Sequence, residues 1–188
     1  MNKILQIAGI VLLLLTMAFS AEAKLNIFPQ PRYIPPLNFY GSDGKTYQLA
    51  DFKADLLLAI IWSRSCGPCI SELKNLNAFA KKMKHRGIEV ILVSPEKEWK
   101  TADERRLFMN KVGAPDLATF LDRKGAFING MGIRVTPTTI LVNRNNEEVG
   151  QITGVVRWDD SDVERYMIKL RKKVLEQLND SKTADKQN

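Results

Sequence analysis

The chain of 188 residues contains only two cysteines, Cys66 and Cys69, and just two residues separate them. A continuous apolar run, LLLAIIW, ends at Trp62, and from Cys69 onward apolar residues recur every three or four positions. The first pattern is typical of a strand buried on both faces, and the second predicts an amphipathic helix. The cysteine pair is therefore expected at a strand-to-helix junction, and a further buried strand over Ile88–Val93 implies a right-handed crossover between parallel strands.

The spacing of the two cysteines argues against a structural role. A disulfide that spans two intervening residues closes a very short loop, so it constrains the unfolded chain little. A chain of this size can bury enough apolar surface to fold without such a bridge. A structural zinc site needs about four ligands, and the only other strong candidate is His85, the single histidine, at the far end of the predicted helix. These observations favour redox chemistry and predict no metal.

The position of Cys66 predicts its chemical role. Unpaired backbone N–H groups and a partial positive charge at a helix N-terminus favour thiolate over thiol. The thiolate is the attacking species in disulfide exchange, so Cys66 is predicted as the nucleophile and Cys69, one turn further along, as the resolving cysteine. Pro68 fits the first helical turn, where no N–H is required.

The N-terminal residues 1–23 predict an export segment. Lys3 precedes an almost continuous apolar stretch, and Ala21-Glu22-Ala23 fits the small-x-small pattern that signal peptidase accepts. Cleavage between Ala23 and Lys24 would release a soluble periplasmic protein. Without cleavage, residues 4–21 are close to the length that spans a bilayer and would tether the protein to the inner membrane.

The rest of the chain is interpreted as a single domain over residues 37–179. Residues 24–36 contain four prolines and are interpreted as a linker, and residues 180–188 as a polar tail. The predicted strands and helices of the domain are hairpin strands over Leu37–Tyr40 and Lys45–Leu49, a helix over 102–112 that begins after Thr101, a strand over Leu117–Leu121, a short helix within Gly125–Gly132, hairpin strands over Thr138–Val142 and Glu148–Thr153, and a last helix from Ser161 to about Leu178.

The formal net charge of +7 raises the question of a nucleic-acid partner. Much of the excess lies in the last predicted helix and in scattered lysines, without the interleaved aromatic residues that stack on bases. A solvated helix face is the favoured interpretation, and export also argues against nucleic acid.

An ordered set of motifs resembles the TlpA/ResA-like branch of the thioredoxin superfamily, over about residues 37–178. The set comprises Leu49-x-Asp51-Phe52, the block WSRSCGPC over 62–69, Glu72, the sequence VTPTT over 135–139, and Gly154-x-x-x-Trp158 before the last helix, which looks most like TlpA itself. The resemblance implies an α/β, thioredoxin-like three-layer fold, in which a central mixed sheet is flanked by helices and carries an N-terminal β-hairpin extension.

The resemblance also implies roles for individual residues. Pro137 would be a cis-proline that packs against the cysteines, and the backbone at Thr136 would pair with an extended substrate segment. Trp62, Gly67 and Pro68 would complete the substrate-binding surface around the redox-active disulfide. An ordinary trans proline at a strand start is the alternative for Pro137.

Glu72 corresponds to the acid of this branch. The position six residues before the first cysteine, where the wider superfamily has an acid, is Ile60 here. A partly buried carboxylate with a raised pKa could shuttle a proton to and from Cys69. The alternative is a solvated helix glutamate. The chain departs from the family at Ser65, where an aromatic residue is common, and Arg64 precedes it.

The function implied is that of an exported thiol:disulfide oxidoreductase without a cofactor. A CGPC pair of this kind tends toward a low potential, so a reductant is the leading hypothesis. TlpA-like proteins reduce envelope partners during maturation of cytochrome c or of the oxidase copper site, and they draw electrons from a membrane thiol transporter. A monomer is expected. The alternatives are a disulfide-forming oxidase or isomerase and, less favoured, a non-catalytic copper-handling module, which usually has a later histidine that this chain lacks.

Overall fold

The computed structural model of the chain describes residues 23–185, so almost all of the predicted export segment lies outside the described residues. The strands are β1 (Lys24–Tyr33), β2 (Phe39–Tyr40), β3 (Thr46–Tyr47), β4 (Leu56–Ile61), β5 (Ile88–Pro95), β6 (Ala118–Asp122), β7 (Thr138–Asn143) and β8 (Glu147–Thr153). The α-helices are α1 (Gly67–Lys84), α2 (Ala102–Lys111), α3 (Ala126–Gly130) and α4 (Ser161–Asp185), and single 3₁₀ turns cover Leu49–Asp51 and Glu96–Glu98.

The strands form one mixed sheet in the order β1-β8-β7-β4-β5-β6-β2-β3. Strand β4 lies in the interior of the sheet, where it runs parallel to β5 and antiparallel to β7. The predicted crossover through α1 is therefore confirmed, because β4 and β5 are parallel neighbours. The carboxyl end of β4 leads directly toward the cysteines.

Both faces of β4 are buried, as its continuous apolar sequence predicts. Leu56, Leu58 and Ile60 pack on one face with apolar residues of α1 and α4. The alternate residues of β4 pack on the other face, where Phe39, Phe120 and Phe127 meet at ring-centroid distances of 5.1 Å. Two cores therefore enclose the sheet in three layers, and the predicted thioredoxin-like fold is confirmed.

The prediction of a linker over residues 24–36 is wrong. Residues 24–33 form β1, which pairs antiparallel with β8 from the pair Lys24–Thr153 onward. The register is broken between Ile27 and Arg32, and Pro29 and Pro31 fall inside this irregular stretch. Proline lacks a backbone donor and is tolerated at the edge of a sheet, which is where β1 lies.

Two further boundaries differ from the sequence prediction. The first hairpin consists of two-residue strands, in which Phe39 pairs with Tyr47 and Tyr40 with Thr46. The last helix runs to Asp185, so residues 180–185 of the predicted polar tail are helical. Within the described part of the chain, no helix has the length and apolar character needed to cross a membrane.

Candidate active site

The loop after β4 places Cys66 at the start of α1. The backbone N–H of Trp62 donates to the carbonyl of Val93 in β5 (3.1 Å), and the N–H of Cys66 donates to the carbonyl of Ser63 (3.1 Å). Cys66 is the N-cap of α1, and its Sγ accepts a hydrogen bond from the backbone N–H of Cys69 (3.2 Å). The sulfur therefore lies where the N-terminal N–H groups of the helix stabilise negative charge.

The two cysteines form a disulfide, with their Cα atoms 5.3 Å apart. Cys66 is half-buried, whereas Cys69 is fully buried, with 0% of its surface exposed. Gly67 and Pro68, the two residues between them, are exposed in the first turn of α1. An incoming thiolate can therefore approach the sulfur of Cys66 and not that of Cys69, which fits the order of roles predicted from the sequence.

The segment before β7 lies against the nucleophile. The peptide bond between Thr136 and Pro137 is cis, as predicted. The carbonyl oxygen of Thr136 is 3.7 Å from the Sγ of Cys66. Val135, the preceding residue, is 55% exposed. The geometry therefore brings the backbone at Thr136 next to the disulfide, and an exposed apolar residue directly precedes it in the chain.

Glu72 is buried on the first turns of α1, with 4% of its surface exposed. Its Oε2 accepts hydrogen bonds from the backbone N–H of Val156 (2.9 Å) and from the indole N–H of Trp158 (3.2 Å). Burial raises the pKa of Glu72 to about 7, because the two hydrogen bonds only partly offset the cost of removing a carboxylate from water. A carboxyl group with this pKa can exchange a proton near neutral pH.

The partners of Glu72 come from the segment between β8 and α4. In the sequence, Trp158 stands out only as part of the family motif before the last helix and has no predicted role. In the structure, its indole ring packs against Phe79 of α1, with centroids 4.9 Å apart, and its N–H points to the carboxylate. No local pattern reveals this contact, since 86 residues separate Trp158 from Glu72.

The prediction that Trp62 contributes directly to the substrate-binding surface is wrong. Trp62 is 1% exposed and packs beneath the loop against Trp99 and Phe108, at centroid distances of 5.9 and 6.1 Å. The reason is that the apolar run of β4 continues into the core for one residue beyond the strand. Trp62 can therefore support the loop but cannot touch a partner protein in this conformation.

A hydrogen-bonded network that the sequence analysis missed holds the loop before Cys66. The Glu98 carboxylate accepts from the hydroxyl of Ser63 (2.6 Å) and from the backbone N–H of Arg64 (2.9 Å). The guanidinium of Arg64 donates to the carbonyl of Glu98 (2.8 Å) and to Glu104 (2.6 Å), and it lies 4.8 Å from the ring centroid of Trp99. No local pattern in the sequence indicates this network, because its partners lie 34 to 40 positions apart in the chain.

The site contains no arrangement typical of a metal centre. Among the described residues, no three His, Cys, Asp or Glu side chains are grouped so that they could hold an ion. The chemistry that the geometry supports is thiol–disulfide exchange at Cys66 and Cys69.

The fold and the disulfide at the start of α1 define a thioredoxin-like oxidoreductase. The model of the Redoxin family matches residues 30–167, and the chain belongs to this family. It is a TlpA/ResA-like thiol:disulfide oxidoreductase. A ResA thiol-disulfide oxidoreductase of Bacillus cereus is 29% identical over 141 residues, which cover 72% of this chain and 75% of the relative. A thiol:disulfide interchange protein DsbE of Vibrio cholerae is 28% identical over 115 residues, which cover 61% of this chain and 54% of that protein.

Solved structures support the same fold. A thiol:disulfide interchange protein from a Bacteroides species superposes with a TM-score of 0.62 at 19% identity, covering 77% of this chain and 91% of that one. A secreted thiol-disulfide isomerase from Corynebacterium glutamicum gives a TM-score of 0.62 at 17% identity, covering 82% of this chain and 95% of its own. At these identities the likeness shows the fold alone.

Proposed function

We propose that this protein is an exported reductant that breaks disulfides in envelope proteins during the maturation of cytochrome c or of the oxidase copper site. The observation that carries the proposal is the asymmetry of the pair, in which Cys66 is accessible at a helix N-terminus and Cys69 is fully buried. The similarity to a thiol:disulfide interchange protein of Vibrio cholerae supports exchange with a partner, and the family resemblance supports the proposed class of partner.

The proposed reaction has two exchange steps. The Cys66 thiolate of the reduced protein attacks one sulfur of the partner disulfide, which forms a mixed disulfide and releases the other partner sulfur as a thiolate. Cys69 then loses its proton and attacks the Sγ of Cys66, which releases the second partner thiolate and restores the Cys66–Cys69 disulfide. The partner gains two electrons and the protein loses two.

Glu72 is proposed to accept the proton of Cys69 in the second step. The two residues are three positions apart, so they lie on one face of α1. A carboxyl group whose pKa is about 7 is ionised in an appreciable fraction at neutral pH and can also return the proton when the protein is reduced again. Glu72 is therefore a proposed proton-transfer residue rather than a structural acid.

The segment over residues 135–137 is the proposed binding surface for the partner. An extended segment of the partner would pair with the backbone at Thr136, and its disulfide would then lie beside Cys66. Gly67 and Pro68, which directly follow the nucleophile in the chain, are exposed and are proposed to complete this surface. The proposed electron donor is a membrane thiol transporter, and the protein is proposed to act as a periplasmic monomer, either released or tethered by residues 4–21.

The redox potential tests the direction of electron flow. We expect the purified domain, equilibrated with glutathione or dithiothreitol buffers, to have a potential near about −270 mV, as in thioredoxin. A potential of about −120 mV, which is typical of strong oxidants, would contradict the proposed reducing role and favour a disulfide-forming oxidase.

Trapping tests the proposed class of partner. In cells that produce the full chain with Cys69→Ser, the mixed disulfide at Cys66 should persist and can be isolated with the partner attached. The matched control carries both Cys66→Ser and Cys69→Ser and should trap nothing. Capture of proteins unrelated to cytochrome maturation would overturn that assignment without affecting the chemistry.

A further inference from the structure

The residue before the nucleophile is held by a chain of hydrogen bonds with a defined direction. Ser65 is exposed and directly precedes Cys66. Its Oγ is 2.8 Å from the Oγ of Ser63, and its backbone N–H donates to the same oxygen (3.1 Å). The Oγ of Ser63 is in turn 2.6 Å from the Glu98 carboxylate.

The chemistry of the three groups fixes which atom donates. An ionised carboxylate can only accept hydrogen bonds, so the Ser63 hydroxyl must donate its one proton to Glu98. The Ser63 oxygen then has no proton left for Ser65, and the hydroxyl of Ser65 must donate to it. The proton of Ser65 is thereby turned inward, and the outward side of its oxygen carries only lone pairs.

We infer that Ser65 is a specificity-determining residue, which offers a hydrogen-bond acceptor to a backbone N–H of the partner beside the reacting disulfide. This inference rests on the proposed function and names a feature of its substrates, namely a free amide next to the reacting cysteine. Cys66 lies one residue away and contacts the Thr136 carbonyl at 3.7 Å, so a segment that pairs with Thr136 passes within reach of Ser65.

The network around Arg64 explains why the acceptor keeps its place. The Glu98 carboxylate uses both oxygens for the loop, one for Ser63 and one for the backbone N–H of Arg64. Arg64 is further anchored by its ion pair with Glu104 and by its position over the rings of Trp99 and Phe108. The loop is therefore held from its side chains and from its backbone, and Ser65 does not need a bound partner to adopt this orientation.

The test uses two short peptides that form the same disulfide. In one peptide the amide following the reacting cysteine carries its N–H, and in the other this nitrogen is methylated. The reduced full domain should react faster with the first, by about fivefold, the worth of one partly solvated hydrogen bond. In Ser65→Ala the ratio of the two rates should fall toward the value that the methyl group alone produces. Ser71→Ala is the control and should keep the wild-type ratio, because the exposed Ser71 hydroxyl donates to the carbonyl of Pro68 instead (2.7 Å).

A second pair of variants tests the direction of the chain. Glu98→Gln supplies an amide N–H that can donate to Ser63 and so allows the hydroxyls to reverse, and it should lower the ratio as Ser65→Ala does. Glu96→Gln is the matched control, because Glu96 lies in the same 3₁₀ turn and pairs with Arg123 (2.8 Å) instead. An equal ratio in the wild type and in Ser65→Ala would overturn the inference.

The same experiment separates this inference from the proposed function. The rate with a small disulfide that has no amide, such as hydroxyethyl disulfide, reports the chemistry of Cys66 alone. It should be unchanged in Glu96→Gln, and in Ser65→Ala it should change less than the ratio between the two peptides does. If the wild-type protein does not react with this small disulfide, the proposed oxidoreductase function is wrong. If it reacts but does not discriminate between the two peptides, only the role of Ser65 is wrong.

Discussion

Two carboxyl groups of low exposure lie near opposite ends of β4, and their pKa values are shifted in opposite directions. Asp55 precedes the strand and receives hydrogen bonds from two guanidinium groups, from Arg171 through Nε (2.8 Å) and Nη2 (2.5 Å) and from Arg144. Glu72 lies beyond the other end and receives only two neutral N–H donors. Burial acts to raise the pKa of both groups, so the opposite signs of the two pKa shifts come from their different partners.

The difference in partners decides the sign of each pKa shift. Burial acts to raise the pKa of Asp55, but the hydrogen bonds and charges of Arg171 and Arg144 outweigh it and hold this pKa below its usual value. At Glu72 no cation opposes burial, and the pKa rises to about 7. Near one end of the strand, Asp55 therefore stays ionised in ion pairs with Arg171 and Arg144. Near the other end, Glu72 can exchange a proton close to neutral pH.

The strongest challenge to this comparison is the substitution of Glu72 by Gln. We expect the resolution of a mixed disulfide at pH 7 to slow by about 100-fold, because the proton of Cys69 loses its acceptor. Stopped-flow measurement of product release from a preformed mixed disulfide reports this step directly. The control is Glu148→Gln, since Glu148 of β8 is also buried and burial raises its pKa, but it bonds Gln151 instead. An unchanged rate in Glu72→Gln would exclude the proton-transfer role.

The pH dependence of stability should also differ between the two ends. The pKa of Glu72 in the folded state is about 7 against an ordinary value of 4.5, so the folded state binds the proton more tightly. Its contribution to stability is fully present below pH 4.5 and is lost as the pH rises through about 7. Between pH 5 and pH 8 the free energy of unfolding of the oxidised protein should fall by about 2 to 3 kcal/mol more in the wild type than in Glu72→Gln.

Urea unfolding at several pH values checks this slope. Asp55 provides the opposite sign, because its folded pKa is depressed. Its contribution to stability is present above its ordinary pKa of 3.8 and is lost only as the pH falls through the still lower pKa of the folded state. Parallel curves for the wild type and Glu72→Gln from pH 5 to 8 would mean that the carboxyl of Glu72 titrates normally.

A smaller effect is expected at the other end of β4. Asp55→Asn should lower the free energy of unfolding by about 2 kcal/mol, less than the loss of one partner of a fully buried pair, because the arginines keep some contact with water. Arg171→Met should cost more than Arg144→Met, since the side chains are 30% and 55% exposed. Denaturant unfolding measures these differences, and the rate of Cys66 with a small disulfide should stay at the wild-type value in all three variants.

The elements around the cysteines were predictable because their signals are local. The apolar run of β4 and the three-and-four spacing of α1 each occupy adjacent residues, and Cys66 lies at their junction in the structure. The cis bond before Pro137 and the parallel pairing of β4 and β5 also agree with the sequence prediction. The roles of Glu72 and Thr136 in catalysis stay predictions.

The features that were missed depend on residues far apart in the chain. The strand β1 forms because β8, more than 110 residues later, offers its edge, and the prolines that suggested a linker are accommodated in the irregular stretch. The hydrogen bonds to Glu72 from Val156 and Trp158 have the same origin. The burial of Trp62 agrees with the apolar run that this residue ends, and only the family resemblance placed it in the substrate-binding surface.

The start of β1 bears on the proposed membrane tether, because it limits how far a tethered molecule could extend from the bilayer. Lys24 pairs with Thr153 in the sheet. If residues 4–21 stay in the membrane as proposed, only residues 22 and 23 connect the membrane segment to the folded domain. Extended backbone spans about 3.5 Å per residue, so this connection would reach about 7 Å. A tethered molecule would then diffuse only laterally along the bilayer surface, whereas cleavage after Ala23 would let it diffuse through the whole periplasm.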